Sequence, residues 1–105
     1  MNALRKRSLP RLSDLDMISW LQRYILIHSI LYYDENTNVI SDKEWDRMAA
    51  DLVSRMSDKR LAKKSEYWQY FYDFDGNTGF DIVERLKEAD PEHYDYLRTI
   101  GSHIR

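Results

Sequence analysis

Apolar residues fall at helical spacing along most of the chain. Met17, Ile18, Leu21, Tyr24, Ile25, Leu31 and Tyr32 recur every three or four positions, with His28 on the same stripe. Ser13 stands just before this run with Asp16 three residues on, which predicts a capped helix start. Trp20, Leu26, Ile27 and Ile30 widen the apolar stripe past one face. Such a helix is either central to the fold or shared with a partner. "DENTNVI", residues 34–40, has loop composition. Ser41 then opens a second helix carrying Trp45, Met48, Ala49, Leu52 and Met56. Residues 57–64 read as a polar, basic connection. Residues 65–75, "SEYWQYFYDFD", predict an aromatic helix capped by Ser65. After "GNT", Phe80, Ile82, Val83 and Leu86 predict a short helix. Asp90-Pro91 opens a last one that turns Tyr94, Leu97 and Ile100 inward. No stretch alternates as a strand does. The expected fold is all-α: a basic, flexible arm over residues 1–12, then a single domain of four or five helices over 13–105.

Composition narrows the class. The 105 residues suffice for one modest core, and 43% hydrophobic with 32% charged residues suits a soluble globular domain. No cysteine is present, so disulfides and thiolate metal sites are excluded. The run Tyr24–Ile27 is far short of a membrane span, and the N-terminus lacks the apolar core of a signal peptide. The expected location is the cytoplasm. Residues 1–64 hold 12 basic and 9 acidic side chains, and residues 65–105 hold 4 and 9. The basic end is therefore the N-terminal one. Arg5, Lys6, Arg7 and Arg11 precede any acid, and such an arm suits phosphate contact with nucleic acid as well as a solvated terminus. The oligomeric state stays open, a homo-oligomer included.

"YYDENTNVISDKEWD", residues 32–46, is the stretch most suggestive of chemistry. It resembles the N-terminal helical domain of NAD-dependent DNA ligases, where a tyrosine pair precedes an Ile-Ser/Pro-Asp-x-Glu-Tyr-Asp segment at the same spacing. That domain grips the nicotinamide mononucleotide half of NAD. The resemblance implies nucleotide contact by Tyr32, Tyr33, Asp42, Trp45 and Asp46. Trp45 replaces the family's tyrosine, which removes a hydroxyl but keeps a stacking face. The residue types fit the ligand: nicotinamide in NAD is a flat cation, suited to aromatic faces and carboxylates, and carboxylates accept hydrogen bonds from ribose hydroxyls. Asp42 and Asp46, four apart, share a helix face. Helix initiation alone also explains much of the segment. Ser41 with Glu44 forms a capping box, Ile40 with Trp45 a hydrophobic staple, and Asp42 suits the helix dipole. Asp46 and the tyrosine pair are left without such a reason.

Ligation itself is not expected. The Lys-x-Asp-Gly nucleophile motif is absent, and no other catalytic set stands out. Together with "SEYWQYFYDFDGNTGF", residues 65–80, the segment also resembles small phage and prophage proteins described as ligase-like. That resemblance implies a non-catalytic accessory protein that binds a host protein. An inhibitor of a host defence component, such as a CRISPR nuclease, is the function it points to. Trp68 and Tyr72 are the expected partner contacts, because Tyr67, Tyr70, Phe71 and Phe74 group on another face and should be core. A nucleotide-binding module for a NAD-related molecule is the alternative.

A third reading comes from "DFDGNTGFDIVE". Asp73, Asp75, Asn77, Asp81 and Glu84 fall at calcium-ligand positions of an EF-hand loop. Thr78 stands where the loop needs glycine, and no second loop is present. His28 is read as a core histidine with its hydrogen bonds satisfied.

Overall fold

The computed structural model describes residues 12–104. The basic cluster expected to touch phosphate lies outside them. The fold is all-α, and no strand occurs among the described residues. The elements are α1 (Asp14–Asp34), α2 (Asp42–Arg55), α3 (Lys59–Ala62), α4 (Trp68–Phe71), α5 (Phe80–Ala89) and α6 (Pro91–Ser102). None of these helices is long and apolar enough to cross a membrane.

α1 is the axis. Its start is fixed by Ser13, whose hydroxyl accepts from the Asp16 amide at 3.1 Å. Every residue from Ile25 to Leu31 is buried. Four other helices, α2, α3, α5 and α6, pack around it, which accounts for the apolar residues on all its sides. Each fully buried Leu or Ile here contributes about 1.5–3 kcal/mol of transfer free energy.

α2 starts at Ser41, which accepts from the Glu44 amide at 3.0 Å. The reciprocal half of the expected capping box is not made. Glu44 instead pairs with Arg47 at 2.8 Å, a partner one turn away and within easier reach. α6 starts as expected, with Asp90 accepting from the His93 amide and Pro91 at its first position.

The middle of the chain departs from expectation. The connection after α2 contains one turn of helix, α3, and the aromatic helix is reduced to a single turn, α4. Gln22, fully buried on α1, is the reason. Its amide donates to Ser65 Oγ at 2.8 Å and its carbonyl oxygen accepts from the Tyr67 backbone at 3.1 Å. Ser65 also donates to the Ala62 carbonyl at 2.5 Å. It is thus occupied inside the core and caps nothing. Tyr67, Tyr70 and Phe71 are buried, and Phe74 packs against them.

Candidate functional site

Three interactions hold the C-terminal end of α1. Asp34 meets Lys87 of α5 at 3.0 Å and the Tyr94 hydroxyl of α6 at 2.5 Å. Burial and the Asp34 hydrogen bond push Tyr94 up to about 12. Arg98 reaches Glu35 at 2.8 Å. Asn36 then takes a left-handed conformation, φ 51°, which asparagine tolerates well. The Thr37 amide returns to the Leu31 carbonyl at 2.8 Å. The chain therefore reverses sharply and delivers Ser41 and the start of α2 opposite the end of α1.

A cavity of about 290 Å³ lies in this reversal, near the lower end of the size that small-ligand sites occupy. Tyr32, Tyr33, Asp42, Trp45 and Asp46 all line it. The Tyr32 and Tyr33 rings meet edge to face at 4.9 Å. Trp45 is half-buried, with its ring edge against Phe74 at 6.4 Å. Asp42 and Asp46 are exposed and carry no ion pair or side-chain hydrogen bond among the described residues. Among the described residues, no Lys or Arg lines the cavity. The described lining is thus aromatic and acidic, which suits a flat cationic ring.

A third wall comes from Asn77 and Thr78, far along the chain. Thr78 Oγ1 and the Tyr33 hydroxyl share a hydrogen bond of 2.7 Å, and Phe80 meets the Tyr33 ring at 5.5 Å. The loop itself is an Asx turn in which Asp75 accepts from the Asn77 amide at 3.0 Å, with Gly76 at φ 89°. Gly79 seats the loop. A Cβ there would lie 2.0 Å from Ser29 Oγ and 3.4 Å from the Trp45 ring.

His28 and Ser29 line the inner, buried side. His28 is buried, as expected, but the partners expected for its ring are not found among the described residues. It is 8% exposed and packs on the Tyr24 ring at 4.5 Å, with no hydrogen bond among the described residues. Burial lowers its pKa below the ordinary imidazole range, and the charge of Glu44 opposes this only in part. The ring is therefore neutral at neutral pH. Ser29 Oγ is a fully buried oxygen with no partner.

No protein-family model, curated protein or solved structure matches the chain. The likeness to the ligase segment accordingly rests on residues 32–46 and their placement.

The calcium-loop residues are not brought together. Arg85 clamps Asp73 at 2.7 and 2.9 Å and holds its carboxyl below the usual carboxylate range. Lys87 takes Glu84 at 3.1 Å, and Asp75 is turned onto Asn77. Asp81 sits in the first turn of α5. No group of three or more acidic or histidine side chains among the described residues is placed to hold a metal. Trp68 and Tyr72 do not form one exposed pair either. Trp68 is half-buried with Lys59 over its ring at 5.7 Å, whereas Tyr72 is 53% exposed with Arg85 over it at 4.7 Å.

Proposed function

We propose that the chain is a small, non-catalytic binding module for the nicotinamide end of a NAD-related nucleotide. One observation carries this reading. The five residues selected by resemblance line a single cavity, and its two carboxylates have no partner among the described residues. The pyridinium ring would lie against Trp45 and Tyr32, a cation–π contact worth about 0.5–2 kcal/mol. Asp42 and Asp46 would offset its charge and accept from the ribose hydroxyls. The chain holds this ligand and does not transform it, since no nucleophile motif accompanies the site.

Calorimetric titration with nicotinamide mononucleotide tests the reading. The oxidised form, with its pyridinium cation, should bind, and the reduced form, with an uncharged ring, should bind at least several-fold more weakly. Asp46→Ala should weaken binding and leave stability within about 0.5 kcal/mol, because its carboxylate supports nothing in the fold. Absence of binding at millimolar ligand removes the proposal.

A second reading makes the chain a phage-type accessory protein that occupies a host partner, such as a defence nuclease. The exposed rings of Tyr32, Tyr33, Phe80 and Tyr72 favour it. Capture of a host protein that survives Tyr72→Ala with Phe80→Ala contradicts this surface.

A further inference from the structure

We propose that His28 is a specificity residue of this cavity, selecting the carboxamide form of a pyridine nucleotide over the carboxylate form. The inference rests on the nicotinamide reading above and deepens it. His28 was not among the residues that the resemblance assigned.

The geometry is the first support. His28 is more than nine-tenths buried, yet its ring nitrogens have no hydrogen-bond partner among the described residues. Among the described residues Ser29 Oγ is fully buried and without a partner, whereas the His28 nitrogens, also without one, keep some exposure. Since His28 lines the cavity, that remaining exposure opens toward it. A ring nitrogen that no described residue engages, on a side chain lining a cavity, is free to bond to what fills that cavity.

Chemistry supplies the second support. A neutral imidazole offers one donor and one acceptor. A carboxamide offers the same pair and complements it. A carboxylate offers acceptors only, so one imidazole nitrogen would stay unpaired. Charge points the same way. Asp42 and Asp46 are carboxylates of the lining, Glu44 acts on His28 from α2, and among the described residues no Lys or Arg lines the cavity to neutralise an added carboxylate. The remaining groups about the ring are Tyr24 on its own helix, the Tyr32 and Tyr33 phenols, and neutral Asn77 and Thr78 from the loop.

The test compares nicotinamide mononucleotide with nicotinic acid mononucleotide by calorimetry. The two share ring, ribose and phosphate, so only the amide and acid groups differ. The parent chain should prefer the amide by about tenfold or more at pH 7.5, the equivalent of about one to two hydrogen bonds. His28→Phe, which keeps a ring against Tyr24, should reduce that preference at least several-fold while the far-ultraviolet circular dichroism stays unchanged. If the variant fails to fold, the parent suffices. Lowering the pH until the His28 ring resonances report protonation should shrink the preference, because His28⁺ attracts the carboxylate and repels the pyridinium. Equal binding of both nucleotides, or a preference indifferent to pH and to His28→Phe, overturns this inference and leaves the binding reading intact. No binding of either nucleotide overturns both.

Discussion

Gln22 and His28 lie six residues apart on α1, both buried and both polar, yet their surroundings are opposite. Gln22 is saturated: it holds Ser65 and the Tyr67 backbone and touches Met56 Sδ at 3.6 Å. Among the described residues, neither His28 nor its neighbour Ser29 has a side-chain hydrogen-bond partner. The first pattern is what a polar group looks like when it builds a fold, since an unmet buried donor or acceptor costs about 1–3 kcal/mol. The second pattern, beside a cavity, is what remains when the partner is not part of the chain. One helix thus serves as scaffold toward its N-terminal half and as site wall toward its C-terminal half.

The sharpest way to break this comparison is to delete the scaffold group. Gln22→Ala opens a cavity, strands the Tyr67 amide and leaves Ser65 only its bond to Ala62, so unfolding in urea should show a loss of about 3 kcal/mol. A loss below about 1 kcal/mol would mean that the buried network is not structural. Gly79→Ala should come next. Its methyl group would meet Ser29 Oγ at 2.0 Å, which should cost about 1–3 kcal/mol and also displace the loop wall. Ser29→Ala alone should cost little, because its hydroxyl gives up no hydrogen bond.

Tyr94→Phe should lower stability by about 1–2 kcal/mol through loss of the bond to Asp34. The sign of its pH dependence is definite. The folded pKa of Tyr94 is raised to about 12, above the ordinary tyrosine value, so the parent's contribution is complete below about pH 10. It fades as pH rises from there through the folded value, and the variant should lack that alkaline limb. The smallest effect belongs to His28. Its folded pKa is lowered, so the unfolded chain binds the proton more readily, and stability should fall as pH drops below about 6.5. His28→Phe should flatten that acid limb while changing stability near neutral pH by less than about 1 kcal/mol.

Helix starts were legible because they depend on local chemistry. Ser13, Ser41 and Asp90 each cap the helix that the apolar spacing predicts. The single turns α3 and α4 were not, because four residues carry no periodicity and Gln22 holds Ser65 and Tyr67, more than forty positions away, in the stretch between them. Five lining residues could be found together because one helical reversal joins positions 32–46. Asn77 and Thr78 join the cavity only through tertiary packing, which spacing does not encode. His28 sits one turn before Tyr32, so its position was readable, but whether a partner meets its ring was not. The calcium pattern failed for a related reason. The spacing of its carboxylates was right, but it could not reveal that Arg85 and Lys87 would claim two of them.

Side-chain nuclear magnetic resonance during titration with nicotinamide mononucleotide tests the central claim most directly. The account predicts that the His28 ring, the Trp45 indole and the Asn77 amide signals move together and saturate, while the Gln22 side-chain amide stays where it is. No movement at millimolar ligand, or a shift at Gln22 as large as that at His28, would contradict it.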